Sequence, residues 1–398
     1  MTRTMKSAID RRQLLLRSAL ATSAALFAPR MSFAAGAATD RRFVFVIQRG
    51  AADGLSTVVP YADPVYAKLR GALAVDVSKA TKLDGTFALH PALAELAKMY
   101  QGGQLLAVHA TASPYRERSH FDAQNVLETG GAAPYELKDG WLNRLVALLP
   151  ADRGEAIALA PSVPMALRGA ASVTSYAPSA LPAANDDLLL RVGQLYEADA
   201  QLAPLWNAAM EARGLASDGQ PGDKMGGGAR QDPASLGRLA AKFLSEERGP
   251  RVAMLETGGW DTHSGQNARL TFQLRALDTL LASLRDGLGA LWKDTLVVVA
   301  TEFGRTAAAN GTGGTDHGTA SVALLAGGAV RGGRVLADWP GLANGALLEG
   351  RDLKPTTSLD DLIAAAAAEL FTLDPQRTAT RLFPAGRPAK RIEGIVRV

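Results

Sequence analysis

Two short segments bring a carboxylate close to a histidine and could hold a metal ion. The first is Gly258-Gly259-Trp260-Asp261-Thr262-His263, and the second contains Asp316 directly before His317. In an extended segment, residues two apart lie on one face, so Asp261 and His263 could contact a single ion. The alternatives are an ordinary hydrogen-bonded histidine in the first segment and a flexible surface turn in the second. We favour a metal or catalytic role for the first segment.

Two further carboxylates follow apolar runs. Glu302 comes after the run 295–300, and Asp53 comes after the run 42–48. A carboxylate at the end of a strand can hold a metal, but the Asp-Gly pair at Asp53 is equally typical of a simple turn. Arg305 could bind an anionic substrate through two parallel hydrogen bonds. A local salt bridge between Arg305 and Glu302 is the alternative.

Ser119 and His120 stand at the beginning of a helical pattern. A hydroxyl at a helix N-terminus lies near free N–H groups and the positive end of the dipole, where anions bind. Arg116 and Arg118 would add positive charge there. Serine becomes a nucleophile when a base or a metal activates it, and His120 is its neighbour in the sequence. The structural alternative, which sequence alone slightly favours, is a capping box formed by Ser119 and Asp122.

The elements that would position these residues alternate along the chain. Apolar runs rich in branched and aromatic residues predict buried strands at 42–48, 105–110, 156–160, 252–256, 295–300 and 322–325. Helical patterns lie at 91–99, 121–127, 186–213, 233–247, 266–288 and 359–371. This alternation predicts an α/β fold with a mainly parallel central sheet and helices on both faces. In such a sheet, the polar motifs gather at the carboxyl ends of the strands.

The N-terminal segment is similar to a twin-arginine export signal. Arg11 and Arg12 precede a mildly apolar stretch that is too short to span a bilayer, and small residues suit cleavage after Ala34 or Ala37. Residues 1–38 are therefore predicted to be a signal peptide. The expected partner is the twin-arginine export machinery, and the expected location is periplasmic or extracellular. The alternative is an amphipathic helix with a chance pair of arginines.

Removal of this segment changes the charge of the protein. The whole chain has 43 basic and 39 acidic residues and a net charge of +4. Residues 1–38 contain six of the basic residues and one of the acidic ones, which leaves 37 basic against 38 acidic in the remainder. A nearly neutral mature protein argues against nucleic-acid binding. No later apolar run is long enough for a stable membrane span.

Residues 39–398 are predicted to form a single domain with a flexible insertion near 216–232, where glycine and polar residues are frequent. The 398-residue chain contains no cysteine, which removes disulfides and thiolate metal sites from consideration. The metal ligands available are therefore histidine and carboxylate.

Five motifs, taken in this order, resemble those of the exported DUF1501 family. The most specific are Arg49-Gly50-Ala51-Ala52-Asp53-Gly54, Ser119-His120-Phe121-Asp122, Gly259-Trp260-Asp261-Thr262-His263, Thr301-Glu302-Phe303-Gly304-Arg305 and Gly314-Thr315-Asp316-His317-Gly318. The resemblance runs from about Arg42 to the C-terminus. Through this family the chain also resembles, more distantly, the alkaline phosphatase and sulfatase superfamily. That resemblance implies an alkaline phosphatase-like α/β fold with metal ions and a nucleophile at the strand ends.

The resemblance implies a role for individual residues. Asp261 and His263 match an aspartate and a histidine that hold one metal, with His317 as the late third ligand. Asp53 matches the carboxylate after the first strand, and Ser119 matches the nucleophile at a helix start. The expected metal ligands, with Asp316 added from the histidine motif, are Asp53, Asp261, His263, Glu302, Asp316 and His317.

One position departs from the superfamily pattern. Glu302 stands where an aspartate of an Asp-His-Gly motif is expected, and Phe303 stands where the histidine ligand of a second metal is expected. Phenylalanine cannot bind a metal, so a two-zinc centre is in doubt, and the identity and number of divalent metal ions (zinc or another) stay open. Ser119 is not in a sulfatase maturation motif, which argues against a formylglycine enzyme.

These observations predict a metal-dependent hydrolase of phosphate or sulfate esters. Ser119 and His120 would be catalytic, while Arg116, Arg118 and Arg305 would bind a small anionic ester. The alternative is a non-catalytic binding or assembly protein on a degenerate fold, which Phe303 favours. A third interpretation is a carbohydrate-binding surface that uses Trp141 and Trp260 as stacking platforms.

Overall fold

The computed structural model describes residues 40–150, 155–177, 186–199, 201–217, 232–385 and 392–397. The predicted signal peptide, residues 1–38, and most of the predicted insertion near 216–232 lie outside these ranges. The strands on either side of that insertion, at Val173–Ser175 and Val252–Thr257, belong to one sheet.

Twelve strands are present in the described ranges. They are β1 (Arg42–Gln48), β2 (Val58–Val59), β3 (Thr81–Lys82), β4 (Ala88–Leu89), β5 (Leu105–Ala112), β6 (Ala156–Leu159), β7 (Val173–Ser175), β8 (Val252–Thr257), β9 (Thr295–Thr301), β10 (Ser321–Ala326), β11 (Arg334–Leu336) and β12 (Thr357–Ser358).

Eleven helices accompany them in the same ranges. They are α1 (Gly54–Thr57), α2 (Tyr66–Arg70), α3 (Ala94–Gln101), α4 (His120–Thr129), α5 (Trp141–Val146), α6 (Asp186–Tyr196), α7 (Leu202–Ser217), α8 (Pro233–Ser245), α9 (Gln266–Leu288), α10 (Leu359–Phe371) and α11 (Pro375–Leu382). None of these helices combines the length and the apolar composition that crossing a bilayer requires.

The central sheet has nine strands and is mainly parallel, as the sequence predicts. Eight of them follow the order β11-β5-β10-β9-β1-β8-β6-β7, and β12 pairs with β5. Strands β9, β1, β8, β6 and β7 are parallel to one another, whereas β10 runs antiparallel to both β9 and β5. Strands β2, β4 and β3 form a separate small sheet.

Helices cover both faces of this sheet. Phe43 and Phe45 of β1 point to one face, where the rings of Phe45 and Trp141 are 5.0 Å apart. Val44 and Val46 point to the other face, into the same apolar cluster as the leucines of α9. Both faces of β1 are therefore buried, which explains why residues 43–47 are all apolar. Each large side chain buried in this way contributes about 1.5–3 kcal/mol.

The predicted helix 186–213 is wrong as a single element, because it is two helices. Helix α6 ends at Tyr196, and α7 begins at Leu202. Between them, the carboxylate of Asp199 accepts hydrogen bonds from the backbone N–H groups of Gln201 and Leu202. The carboxylate of Asp199 satisfies two backbone N–H groups at the start of α7, and these hydrogen bonds stabilise the break between the two helices.

Strand direction brings the five polar motifs to one edge of the sheet. Strands β1, β5, β8 and β9 end at this edge, and the reversed strand β10 begins there. The residues that precede β10, including Asp316 and His317, therefore lie beside the residues that follow the four parallel strands. The gathering predicted from the sequence is confirmed, and it depends on the reversal of β10.

Asp360 in the first turn of α10 is a buried carboxyl group whose Oδ1 has no hydrogen-bond partner among the described residues. Burial, helped by the charge of Asp361 and opposed by Arg116, raises the pKa of Asp360 to about 7. The folded protein thus holds this proton more tightly than the unfolded chain does. The stability that the bound proton confers is present below the ordinary carboxyl pKa and is lost as pH rises towards 7.

We therefore expect Asp360→Asn to raise the melting temperature at pH 8 and to change it little at pH 4, where Asp360 is already neutral. Thermal denaturation of both proteins across this range measures the effect. Asp374→Asn is the matched control, because Asp374 is an exposed N-cap whose hydrogen bond to Arg377 an asparagine can keep. Parallel stability curves for wild type and Asp360→Asn would contradict the prediction.

Candidate metal centre and its surroundings

Asp261 lies at the centre of the edge described above, on the loop that follows β8. Trp260 anchors this loop: its side chain is fully buried, and its Nε1 donates to Thr257 Oγ1 at 3.0 Å. Gly259 adopts a φ of +85°, and Gly50 lies so close that a Cβ there would be 2.7 Å from the Asp261 nitrogen. The Asp261 carboxylate is exposed, but the backbone that carries it is held in a fixed position by these contacts.

Three imidazole rings direct their Nε2 atoms towards this carboxylate. Nε2 lies 3.1 Å from Asp261 Oδ1 in His263 and 3.3 Å from the same atom in His317. The Nε2 of His120 lies 3.6 Å from Oδ2. The two Nε2 atoms of His263 and His317 are 3.0 Å apart. One aspartate and three histidines thus surround one small volume.

The Nδ1 atom of each ring is occupied by an acceptor on the far side. It lies 2.9 Å from Glu302 in His120, 3.1 Å from Asp316 in His263 and 3.1 Å from the carbonyl of Arg118 in His317. Carboxylate and carbonyl oxygens only accept, so Nδ1 carries the proton in each ring. A ring in this tautomer presents the lone pair of Nε2 to the centre.

This arrangement fits a divalent metal ion. The Nε2 of His120 is a buried atom without a hydrogen-bond partner in the described part of the chain. Ligand atoms of His120, Asp261 and His317 all lie within 4.8 Å of one another. Histidine nitrogens with a carboxylate oxygen are ligands that zinc accepts, and metal-bound histidines typically donate their other N–H to a carboxylate or carbonyl. His120, His263, His317 and Asp261 could hold the ion.

Charge differs among the groups of the centre. The hydrogen bond that His120 donates to Glu302 raises the pKa of His120, whereas burial lowers the pKa of His317. Burial works against ionisation of Asp261, but the hydrogen bond and charge of Arg305, together with His263 and His120, outweigh it and lower the pKa of Asp261. The carboxylate is therefore ionised and ready to face a cation.

Glu302 and Asp316 stand behind the histidines, since each accepts from a ring Nδ1. Glu302 is buried and also accepts from Gln124 and from the backbone N–H of Gly50. Burial opposes its ionisation, but the hydrogen bonds prevail and lower its pKa. Both residues orient rings in this structure.

Asp53 is occupied by protein donors. Both of its oxygens bind the guanidinium of Arg70, and it also accepts from Ser56, Gln266 and the N–H of Leu55 at the start of α1. Burial of Asp53 raises its pKa, but Arg70, Ser56 and the charge of Arg305 together outweigh burial and lower the pKa. Its carboxylate has no free side for a metal.

The three predicted substrate-binding arginines lie in different surroundings. Arg305 is buried and donates to Asp261 Oδ1 at 2.6 Å. The side chain of Arg118 pairs with Glu349 and Asp352. Arg116 donates to the carbonyls of Ser113 and Tyr115. Within the described contacts, only the side chain of Arg305 among these three arginines bonds a residue of the centre, namely Asp261.

Ser119 is the N-cap residue of α4, yet among the described contacts its side chain makes no capping hydrogen bond. The predicted capping box with Asp122 is therefore wrong. The Tyr115 hydroxyl accepts from the backbone N–H of Ser119 at 3.4 Å and donates to Asp122 Oδ2 at 3.5 Å, so in the described contacts Asp122 bonds Tyr115 and not the N–H of Ser119. The residues on both sides of Ser119 contact the centre, through the carbonyl of Arg118 and the ring of His120.

Phe303 fills the position of the expected second-metal histidine. Its buried ring stacks on His120 with 5.0 Å between centroids and lies 5.2 Å from His317. Phe303 thus supports two of the rings by contact. Among the described residues, one group of histidine and carboxylate side chains is close enough to hold an ion, His120, Asp261 and His317.

Comparison with known proteins supplies the family. Residues 40–394 match the family described as Protein of unknown function (DUF1501). The chain belongs to the DUF1501 family. A search of curated protein sequences finds no match.

Several solved structures resemble this DUF1501 chain at a distance. The zinc complex of the C-terminal periplasmic domain of EptC from Escherichia coli has 11% identity and a TM-score of 0.42, covering 88% of both chains. The phosphonate monoester hydrolase of Agrobacterium radiobacter has 12% sequence identity and a TM-score of 0.37, and the match covers 88% of this chain and 79% of that one. Alkaline phosphatase from the Antarctic bacterium TAB5 has 10% sequence identity and a TM-score of 0.36, and the match covers 87% of this chain and 99% of that one.

Sequence reasoning missed two buried residues of this DUF1501 site, Arg70 and Gln266. Arg70 ends α2, Gln266 begins α9 more than 200 residues after Asp53, and neither belongs to a motif. His120, for which the sequence predicts a catalytic role, is also near enough to Asp261 and His317 to be a candidate ligand. The carbohydrate interpretation is wrong, because Trp141 and Trp260 are fully buried and offer no stacking surface.

We expect one Zn²⁺ ion per chain in calorimetric titration of metal-free protein, with His317→Ala lowering the affinity about 100-fold or more because one ligand is lost. His90→Asn is the control, since His90 lies on another segment and accepts from the N–H of Ala92 through Nδ1. Equal, negligible binding by wild type and both variants would contradict the prediction.

Proposed function

We propose that this protein is a metal-dependent hydrolase of phosphate or sulfate esters that acts after export. The observation that carries the proposal is the convergence of three Nε2 atoms on Asp261, with every Nδ1 tied to an acceptor. Such convergence is costly for isolated imidazoles, because their unshared lone pairs face one another. A divalent cation removes that cost.

His120, His263, His317 and Asp261 would hold the metal, which supplies a Lewis acid for the oxygens of the ester. Glu302, Asp316 and the carbonyl of Arg118 keep the three rings in the correct tautomer and orientation. Phe303 excludes water from one side of His120 and His317. These residues therefore prearrange the ligands.

Ser119 is the proposed nucleophile. Its hydroxyl stands at the N-terminus of the ten-residue helix α4 and makes no capping bond within the described contacts. The positive end of the helix dipole favours the negative charge that forms on the attacking oxygen and on the ester. Arg305 adds a buried positive charge beside Asp261.

A second candidate is a binding or assembly protein that keeps the metal for stability. Phe303 supports it, because the ring occupies space beside the histidines that a substrate or second ion would otherwise use. In that case, Ser119 would have no chemical task. Activity measurements separate the two candidates.

We expect hydrolysis by the zinc-loaded protein of at least one of p-nitrophenyl phosphate, bis(p-nitrophenyl) phosphate and p-nitrophenyl sulfate. Ser119→Ala should lower kcat/KM by at least about 10³-fold, because the nucleophile is removed. Ser78→Ala, at an exposed turn, is the matched control. Zinc binding without turnover would favour the binding protein, and full activity in Ser119→Ala would exclude Ser119 as nucleophile.

Export through the twin-arginine pathway is the second part of the proposal. It is supported by Arg11 and Arg12 before the apolar stretch and by a site that can load its metal before leaving the cytoplasm. The double variant Arg11→Lys/Arg12→Lys should stay in the cytoplasm of a host with this pathway, while Arg17→Lys should not change export. Cell fractionation measures both, and normal export of the double variant would refute the route.

A further inference from the structure

A buried chain of polar contacts runs from Arg70 to Asp261. At its far end, the guanidinium of Arg70 binds both oxygens of Asp53, Nη1 to Oδ2 at 2.5 Å and Nη2 to Oδ1 at 2.9 Å. Both side chains are at most 1% exposed. A buried ion pair is costly to form and is strongly destabilising when one partner is removed, so this pair fixes the position of Asp53.

Gln266 is the next member. Its Nε2 donates to Asp53 Oδ2 at 2.5 Å. Its Oε1 accepts from the hydroxyls of Thr262 at 2.9 Å and Thr315 at 2.6 Å. Because the carboxylate can only accept, the amide of Gln266 has one allowed orientation, which directs its oxygen to the two threonines.

Thr315 passes this orientation to Arg305. The Thr315 hydroxyl accepts from Arg305 Nε at 3.1 Å, and the Thr315 carbonyl accepts from Nη2. The remaining Nη1 of Arg305 donates to Asp261 Oδ1 at 2.6 Å. Arg305, Gln266 and Thr315 are all at most 1% exposed, so water does not compete for these donors and acceptors.

We infer that Arg70, Asp53, Gln266 and Thr315 form a positioning relay that holds Arg305, and through it sets the Asp261 carboxylate at the centre of the three imidazole rings. Each hydrogen bond of the relay has a fixed donor and acceptor, so the loss of one bond changes the position of the next side chain. The relay explains why Asp53 is placed at the edge of the sheet without facing the centre. Its effect on metal binding rests on the proposed function, but its effect on Arg305 does not.

Thr315→Val tests the relay, because valine keeps the shape of threonine and removes the hydroxyl that joins Gln266 to Arg305. Thr315→Ser keeps the hydroxyl and is the matched control. In protein labelled with ¹⁵N-arginine, with the Arg305 signal assigned from Arg305→Lys, the Nε–H of Arg305 should exchange with solvent at least about tenfold faster in Thr315→Val. Thr315→Ser should exchange as wild type does. Unchanged exchange in Thr315→Val overturns the relay whether or not a metal binds.

The second measurement is Zn²⁺ affinity by calorimetry. We expect Thr315→Val to bind Zn²⁺ about 10-fold to 100-fold more weakly, which is the usual loss when a group behind a metal ligand is removed. Thr315→Ser should bind Zn²⁺ as wild type does. Unchanged affinity in folded Thr315→Val would overturn the link from Arg305 to the centre. Negligible zinc binding by wild type would count against the proposed function, and the exchange result would then decide the relay alone.

Discussion

The direction of β10 is the constraint on which the rest of this site depends. Four parallel strands deliver Asp53, Ser119, Asp261 and Glu302 to one edge by their carboxyl ends, but a fifth parallel strand would take its preceding loop to the opposite edge. The antiparallel pairing of β10 with β9 and β5 instead brings the segment before it to the same edge. His317 and Asp316 therefore meet residues that are distant in the sequence.

Three carboxylates at this edge already have a positively charged or hydrogen-donating partner. Asp53 is matched by Arg70, Asp261 by Arg305 and Glu302 by His120. This matching limits the number of metal ions that the edge can accept, because a carboxylate bound by a guanidinium offers fewer lone pairs. The three Nε2 lone pairs have no such partner of opposite charge. The carboxylates of the site are therefore paired with protein donors, whereas the three Nε2 lone pairs favour a cation.

Much of the fold could be predicted from the sequence, and particular residues show why the rest could not. Helices α9 and α10 begin and end where the 3.6-residue periodicity predicts, and β1 matches its apolar run. The break at Asp199 was missed because a single capping residue overrode a continuous pattern. Ser119 and Asp122 had the spacing of a capping box, but the hydroxyl of Tyr115 bonds both the backbone N–H of Ser119 and the carboxylate of Asp122, a competing partner that the capping-box pattern does not include.

The acceptors behind the three histidines differ in kind, and this gives the centre a weak side. His120 and His263 face carboxylates, whereas His317 faces the neutral carbonyl of Arg118. A carboxylate makes an imidazole a more basic ligand than a carbonyl does. His317 would thus be the weakest electron donor of the three towards an ion held here. Such an ion would be bound least firmly on the side of residues 311–318 and most firmly by His120 and His263.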